Sequence, residues 1–193
     1  MRTVSDFERA GVAGIHMEDQ VAPKRCGLLK GTQCISMEEM IGKIEAAIEA
    51  RNDEDFIIGA RTDACDTYGL EEAIKRANAY VKAGADFILV ISKSFDNLVL
   101  CAKKINAPMM ITPQPWIQKT SIEELRKHNF KIVIFSIPAL QVAAKAVTDL
   151  MEELMRKGTV KEYVGKMVAF EDLLDLVGLP KITSYEKRCL PSK

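Results

Sequence analysis

The sequence predicts an α/β fold with a parallel sheet, built from about five strand–helix units and followed by C-terminal helices. Short, continuous apolar runs recur along the chain, as is typical of strands that are buried on both faces. Between them lie amphipathic segments of roughly a dozen residues with apolar side chains at helical spacing. The repeat of about 25 to 45 residues per unit suits a TIM-type barrel or a doubly wound sheet.

The first elements flank a charged segment. Residues 3–11 are predicted to be a helix, and the apolar residues 12–17 a buried strand. Ser36, followed three positions later by Glu39, forms a capping box, so a helix is predicted from there to about Arg51.

The remaining elements continue the alternation of strand and helix. Further strands are predicted at residues 56–60, 86–91, 108–112 and 132–136. Further helices are predicted at residues 70–83, 96–105, 121–128, 139–157 and 170–177. Glycine follows three of these helices, at Gly84, Gly158 and Gly178, where a left-handed residue commonly ends a helix. Together these elements predict one domain, with strand–helix units over residues 1–158 and a helical tail over 159–193.

Composition restricts the possible partners. The 193 residues are 48% apolar and 28% charged, as in ordinary globular domains. A formal net charge of zero does not favour nucleic acid or an anionic membrane as a partner. No apolar run reaches membrane-spanning length, and the five cysteines show no C-x-x-C spacing that would indicate zinc or a disulfide framework. The sequence therefore predicts a cytoplasmic protein.

The charged segment after the first strand is the main candidate site. Glu18 and Asp19 follow the strand, and Lys24, Arg25 and Cys26 lie within the next seven residues. Positive charge beside a thiol favours its thiolate form. The alternative is a solvated loop in which the cysteine is incidental.

Other polar side chains also stand where predicted strands end. They are Arg61, Asp63, Ser92, Lys93 and Thr112. Because the carboxyl ends of parallel strands meet at one rim, these side chains are expected to converge on a single site with Glu18 and Asp19. His16 lies inside the first strand and is interpreted as a packed structural side chain.

The motifs EDQ and PKRCG, with ARTDA further on, resemble the isocitrate lyase/phosphoenolpyruvate mutase superfamily, and most closely its methylisocitrate and 2,3-dimethylmalate lyases. The resemblance implies a (β/α)8 barrel that uses Mg²⁺, with Mn²⁺ as the alternative, to cleave a small 2-hydroxy di- or tricarboxylate to pyruvate or another 2-oxo acid plus a dicarboxylate. It covers the last five of eight strands, so the chain is expected to be an N-terminally truncated portion of such a barrel. Leu28 stands where the family usually has histidine.

The resemblance also implies roles in the charged segment. Cys26 corresponds to the acid that protonates the carbon when the C–C bond breaks, and Lys24 and Arg25 would stabilise the developing negative charge. Gly27 would let the loop close over a bound ligand. Glu18 would lie in the outer shell of the metal, the alternative being an ordinary salt bridge.

On the other strands, the resemblance makes Arg61 the clamp for a substrate carboxylate, since its planar fork can bind one bidentately. The alternative for Arg61 is a structural pair with Asp63 or Glu18. Ser92 and Thr112 are predicted to contact the substrate.

Two segments depart from the lyase pattern. Ile91 and Met110 occupy positions where lyases carry acidic or amide side chains, and the segments I-S-K-S and M-I-T-P-Q-P are closer to phosphoenolpyruvate mutase and phosphonopyruvate hydrolase. The alternatives are therefore a phosphonate P–C mutase or hydrolase, or a catalytically inactive barrel fragment.

A homo-oligomer is also expected. A sheet of five parallel strands has two open edges, and the family exchanges its C-terminal helices between subunits.

Overall fold

A computed structural model describes residues 1–27, 29–112 and 120–190. Three interpretations lie outside these residues. They are the substitution of Leu28 for the family's histidine, the part of M-I-T-P-Q-P from Pro113 onward, and the prediction that Trp116 packs in the loop after the fourth strand. None of the helices described is both long and apolar enough to cross a membrane.

The fold is a parallel α/β sheet, as predicted. Its strands are Gly14–Glu18 (β1), Ile57–Thr62 (β2), Phe87–Val90 (β3), Met109–Ile111 (β4) and Phe130–Val133 (β5). All four pairings are parallel, and the spatial order β1-β2-β3-β4-β5 follows the chain. A doubly wound sheet would reverse direction at a switch point, so this order indicates a barrel-type arrangement.

Helices connect and follow the strands. In the described chain they are Arg2–Arg9 (α1), Met37–Ala50 (α2), Ala64–Tyr68 (α3), Leu70–Lys82 (α4), Phe95–Lys104 (α5), Ile122–Lys127 (α6), Pro138–Lys157 (α7), Phe170–Leu176 (α8) and Leu179–Cys189 (α9), with a 3-10 turn at Lys161–Lys166. Two of them, α3 and α9, were not predicted. The first is only five residues long and too short for a periodic pattern, and the second carries Pro180 in its first turn, where proline is tolerated.

The strand ends differ from the prediction in ways that concern the site. Glu18 lies inside β1 and Arg61 inside β2, because the ladder continues through these charged residues. The predicted fifth strand, at residues 132–136, was wrong by two to three residues. Asn129 adopts a left-handed conformation with φ of 64°, and the strand begins at the next residue, with Phe130 in register with Met109.

The two faces of the sheet have different neighbours. Side chains such as Ala60, Ile88 and Met109 pack against the helices in the largest apolar cluster. The opposite, inner face carries charged side chains at the ends of β1 and β2. It is apolar on β3 to β5 and just beyond β3, where its residues are Phe87, Leu89, Ile91, Met110 and Ile132. His16 is exposed, so the packed role predicted for it was wrong.

The described chain divides into two compact units, Met1–Ser136 and the residues from Ile137 onward. The long helix α7 therefore belongs with the C-terminal helices, although the sequence placed the start of the helical tail after it. That all 193 residues form a single domain stays a prediction. In the second unit, none of the described residues is buried.

Candidate active site

The candidate site is built on neighbouring ends of β1 and β2. Glu18 and Arg61 are in register across the parallel ladder, so their side chains share the inner face. Arg61 Nη1 lies 3.2 Å from Glu18 Oε2. Its Nε and Nη2 donate to the two oxygens of Asp63 at 3.0 and 2.9 Å. The guanidinium therefore binds Asp63 bidentately and Glu18 through a third nitrogen, which is the structural pairing named as the alternative for Arg61.

Burial governs the charges in this cluster. The side chain of Asp63 is 1% exposed, that of Glu18 11% and that of Arg61 19%. Burial raises the pKa of Asp63, and although the hydrogen bond and charge of Arg61 act in the opposite direction, the net pKa is raised. For Arg61, burial acts to lower the pKa, but the bond to Asp63 and the charges of Asp63 and Glu18 outweigh it and the pKa rises. Arg61 therefore stays charged, and its charge is what keeps Asp63 ionisable in a buried position.

The loop after β1 is attached to the same cluster. Lys24 Nζ lies 3.3 Å from Glu18 Oε1, so both oxygens of Glu18 face a cation. The Gln20 side-chain amide accepts from the backbone N–H of Arg25 and donates to its carbonyl oxygen, the latter at 3.0 Å. Gln20 was not singled out in the sequence, although it is the third residue of EDQ. It anchors the loop that carries Cys26, whose side chain is exposed.

Gly27 is the point where this loop contacts the cluster. A Cβ atom at Gly27 would overlap Asp63 Oδ1 and would lie 2.9 Å from both Arg61 Nη2 and Ile91 Cγ2. The backbone therefore approaches the Arg61–Asp63 pair more closely than any other residue type allows. The close approach places Cys26 one residue away from that contact.

We expect Gly27→Ala to lower kcat/KM at least tenfold, because the added methyl group prevents the loop from reaching Asp63 and Arg61. Steady-state kinetics would measure this. Gly42→Ala is the matched control, since a Cβ at Gly42 has nothing within 4 Å and should leave kcat/KM unchanged. Equal kinetics for both variants would contradict the contact.

The two predicted substrate contacts on later strands are placed differently. Ser92 is buried, and its hydroxyl donates to Asp66 Oδ1 at 2.9 Å, while Asp66 Oδ2 accepts from the Lys93 backbone N–H at 2.9 Å. The Ser92 hydroxyl is thus engaged in holding the turn after β3. Asp66 was missed by sequence reasoning, because it lies in the unpredicted helix α3. Thr112 follows β4 and is half-buried, and its substrate role stays a prediction.

The other cysteines differ from Cys26 in exposure or in the element that carries them. Cys65 and Cys101 are buried, Cys34 is half-buried, and Cys189 is exposed near the C-terminal end of α9. Burial and the charge of Asp19 raise the pKa of Cys34 to about 12. A hydrogen bond from Cys101 lowers the pKa of Cys65 to about 7. Cys65 and Cys101 thus lie in the packed interior, whereas Cys26 lies on the exposed loop beside Lys24 and Arg25.

A metal ion fits this cluster only in part. Among the described residues there is no group of three or more His, Cys, Asp or Glu side chains arranged to hold one. Glu18 supplies a carboxylate at the rim, which suits the outer shell of a hard cation that keeps its waters. The described residues do not supply an inner set of ligands.

A parallel sheet whose strands follow chain order, with charged side chains gathered where the first two strands end, defines an α/β protein of the TIM-barrel type. Residues 1–155 match the family model described as phosphoenolpyruvate phosphomutase. The chain therefore belongs to the phosphoenolpyruvate phosphomutase family, which confirms the superfamily inferred from EDQ and PKRCG.

Two curated relatives are lyases. The chain is 40% identical over 195 residues to the 2,3-dimethylmalate lyase of Eubacterium barkeri, covering 96% of this chain and 65% of that enzyme. It is 39% identical over 193 residues to the 2-methylisocitrate lyase of Aeropyrum pernix, covering 97% of this chain and 60% of that enzyme. The chain thus spans between 60 and 65% of the length of these relatives.

Two similar solved structures are P–C bond enzymes by name. The phosphoenolpyruvate phosphomutase of Streptomyces platensis subsp. rosaceus matches with a TM-score of 0.89 at 28% identity, over 98% of this chain and 68% of that one. A phosphonopyruvate hydrolase in complex with oxalate and Mg²⁺ matches with a TM-score of 0.82 at 29% identity, over 98% and 67% respectively.

Proposed function

We propose that this protein is a magnesium-dependent carbon–carbon lyase that cleaves a small 2-hydroxy di- or tricarboxylate of the methylisocitrate or dimethylmalate type, releasing pyruvate or another 2-oxo acid. The observation that carries the proposal is the loop that bears Cys26. Its neighbour Gly27 closely approaches Asp63 and Arg61, so the residue that bears the thiol adjoins a backbone position beside a guanidinium and a carboxylate. Such a set can bind an acid and transfer a proton to it.

The chain's own residues supply binding and proton transfer. Cleavage of the C–C bond leaves an electron pair on carbon, and the Cys26 Sγ–H is the proposed donor of the proton to that carbon. Lys24 and Arg25 stabilise the negative charge that develops. Arg61 donates two of its five N–H groups to Asp63 and forms an ion pair with Glu18 through Nη1, and the N–H groups not bonded to other described residues are proposed to bind a substrate carboxylate.

Magnesium, with manganese as a possible substitute, is part of the proposal. Support comes from the family resemblance and from the solved phosphonopyruvate hydrolase with oxalate and Mg²⁺. When bound, such an ion stabilises negative charge on substrate oxygens. Glu18 is the proposed outer-shell carboxylate, held at the rim by its contact with Arg61.

A P–C bond enzyme is the second candidate. It is favoured by Ile91 and Met110, which are buried apolar side chains on the inner face where the lyase pattern has polar ones. The thiol of Cys26 would be unnecessary for that chemistry. A catalytically inactive barrel fragment is the third possibility.

A substrate panel separates these candidates. The protein is incubated with Mg²⁺ and either 2,3-dimethylmalate, 2-methylisocitrate or phosphonopyruvate, and the formation of pyruvate, phosphate and phosphoenolpyruvate is measured. Pyruvate from a malate or isocitrate derivative supports the lyase. Pyruvate with phosphate, or phosphoenolpyruvate, formed from phosphonopyruvate alone supports the P–C enzyme as a hydrolase or a mutase respectively, and the absence of all three products supports the inactive fragment.

We also propose a homo-oligomer in the cytoplasm. The cytoplasmic location is supported by the five cysteines, all of which are free thiols. Self-association is supported by apolar side chains of the second unit that are 67 to 89% exposed, namely Leu140, Met155, Phe170 and Leu176.

Apolar surface of this extent is expected to be covered by another subunit. Sedimentation velocity at micromolar concentration should therefore give a dimer or a larger species. A single monomeric species would contradict this expectation.

A further inference from the structure

Asp19, the residue after Glu18, faces the opposite side of the sheet from the candidate site. Successive side chains of a strand alternate between its faces, so Asp19 lies toward the helices while Glu18 lies on the inner face. Asp19 is fully buried. Asp19 Oδ2 accepts hydrogen bonds from the Tyr80 hydroxyl at 2.8 Å and from the Thr62 hydroxyl at 2.7 Å. Its Oδ1 accepts from the backbone N–H of Asp63 at 3.1 Å.

We infer that Tyr80 and Arg76 of helix α4 are positioning residues for the Arg61–Asp63 pair, and that they act through the carboxylate of Asp19. The inference about catalysis rests on the proposed function, whereas the inference about geometry does not. Neither residue touches the Arg61–Asp63 pair in any described hydrogen bond or ion pair. Their effect is transmitted by the single carboxylate that contacts both helix α4 and the backbone of Asp63.

Arg76 supplies the charge that a buried carboxylate needs. Its Nη1 lies 3.3 Å from Asp19 Oδ2, and a fully buried anion without a nearby cation would be costly. Arg76 is itself held in place, because Nη1 donates to the Ile35 carbonyl at 2.8 Å and Nε to Glu72 Oε1 at 2.9 Å. The cation is therefore held between helix α4, the segment before α2 and the end of β1.

Tyr80 supplies a neutral donor that stays protonated. Burial raises the pKa of its hydroxyl, and the charge of Asp19 raises it further. Without that hydroxyl, Asp19 Oδ2 would lose one of its two hydroxyl donors. The carboxylate would then be expected to shift toward Arg76, which would weaken its bond to the Asp63 backbone.

A second set of bonds ties the same residues at the level of the backbone. The Asp19 N–H donates to the Arg61 carbonyl at 3.1 Å, and the Ile35 N–H donates to the Asp19 carbonyl at 2.7 Å. The end of β1 and the turn at Asp63 lie next to the Arg61–Asp63 pair, and the positions of both thus depend on the position of Asp19. A shift of Asp19 is transmitted to Arg61 through Asp63.

The test is Tyr80→Phe in the full chain, which keeps the buried ring and removes only the hydroxyl. Solvent exchange of the Arg61 Nε–H is measured by NMR, because in the native protein this proton is bonded to Asp63 Oδ2 at 3.0 Å. We expect exchange to become at least tenfold faster. Tyr68→Phe is the matched control, since the Tyr68 hydroxyl accepts from the Cys34 N–H and has no described bond to Asp19. The control should leave Arg61 exchange unchanged.

Exchange within twofold of wild type in a folded Tyr80→Phe protein would overturn the inference. If that variant does not fold, Arg76→Lys serves instead, because lysine keeps the charge but cannot bind Asp19, Ile35 and Glu72 together. It should also speed the exchange at least tenfold, and unchanged exchange would again overturn the inference. In the active enzyme, Tyr80→Phe should raise KM and lower kcat, each several-fold, since the clamp is loosened in both ground and transition states. An inactive wild-type protein would refute the proposed function and leave the exchange result valid.

Discussion

Cys26→Ser is expected to lower kcat by on the order of a hundredfold or more while KM stays nearly unchanged, since general acid catalysis typically contributes this much. A serine hydroxyl is far less acidic than a thiol, so proton donation to carbon is lost. In the proposed function Arg61 binds the substrate carboxylate, so KM is not expected to change. A fall in kcat alone is the signature of an interaction made only in the transition state.

Cys189→Ser is the matched control for this experiment. Cys189 is also an exposed free thiol, but it lies near the C-terminal end of α9 in the second unit. Steady-state kinetics of both variants with the substrate identified by the panel would show a loss only for Cys26. Iodoacetamide should also modify Cys26 faster than Cys34, Cys65 and Cys101, because Cys26 is exposed whereas those three thiols are buried or half-buried. Full activity of Cys26→Ser would remove the lyase proposal and favour the P–C enzyme.

Arg61→Met is expected to lower the free energy of unfolding by on the order of 3 kcal/mol at pH 7 and to abolish measurable activity. Removing one partner of a buried ion pair leaves the other charge uncompensated, and Asp63 is 1% exposed. Glu18 would lose its partner at 3.2 Å as well. Urea unfolding at pH 7 would measure the loss.

The loss should become smaller as the pH falls. In the folded protein, burial already raises the pKa of Asp63 above its ordinary value. Without Arg61, the pKa of Asp63 in the folded protein rises further. The stability that comes from protonating Asp63 is therefore present below about pH 4, the ordinary pKa of an aspartate. It is lost as the pH rises through the pKa of Asp63 in the folded protein. The difference in free energy of unfolding between the variant and the wild type should therefore be large at pH 7 and small at pH 4. An equal gap at both pH values would show that the cost does not come from a buried charge.

Arg51→Met provides the control for Arg61→Met. Arg51 pairs with Asp86 at 3.0 Å, but the Asp86 side chain is 37% exposed, so water can replace the lost partner. We expect a loss of about 1 kcal/mol or less with little dependence on pH. A loss as large as that of Arg61→Met would mean that burial does not distinguish the two pairs.

The sequence by itself determined the fold class, the existence of all five strands and the family. Apolar periodicity is a local property, and the capping residues Ser36 and Ser121 accept from Glu39 and Glu124 as their spacing predicts. The motifs EDQ and PKRCG are likewise contiguous, so they can be recognised in the sequence alone. The predicted ends of the strands and helices were less accurate, because a charged residue such as Arg61 can continue a strand when it pairs with a neighbouring strand.

The tertiary structure alone decided which partners the charged residues take. Sequence placed Arg61 at the rim but left its partner open, and the fold pairs it with both Asp63 and Glu18. Tyr80 falls within the helix predicted at residues 70–83, yet its hydroxyl bonds Asp19, which lies 61 positions away. From the sequence alone, Arg76 on the same helix would be interpreted as a surface residue. No local pattern encodes such contacts, because a buried charge is stable only where chain segments distant in sequence bring donors and a counter-charge to the same point.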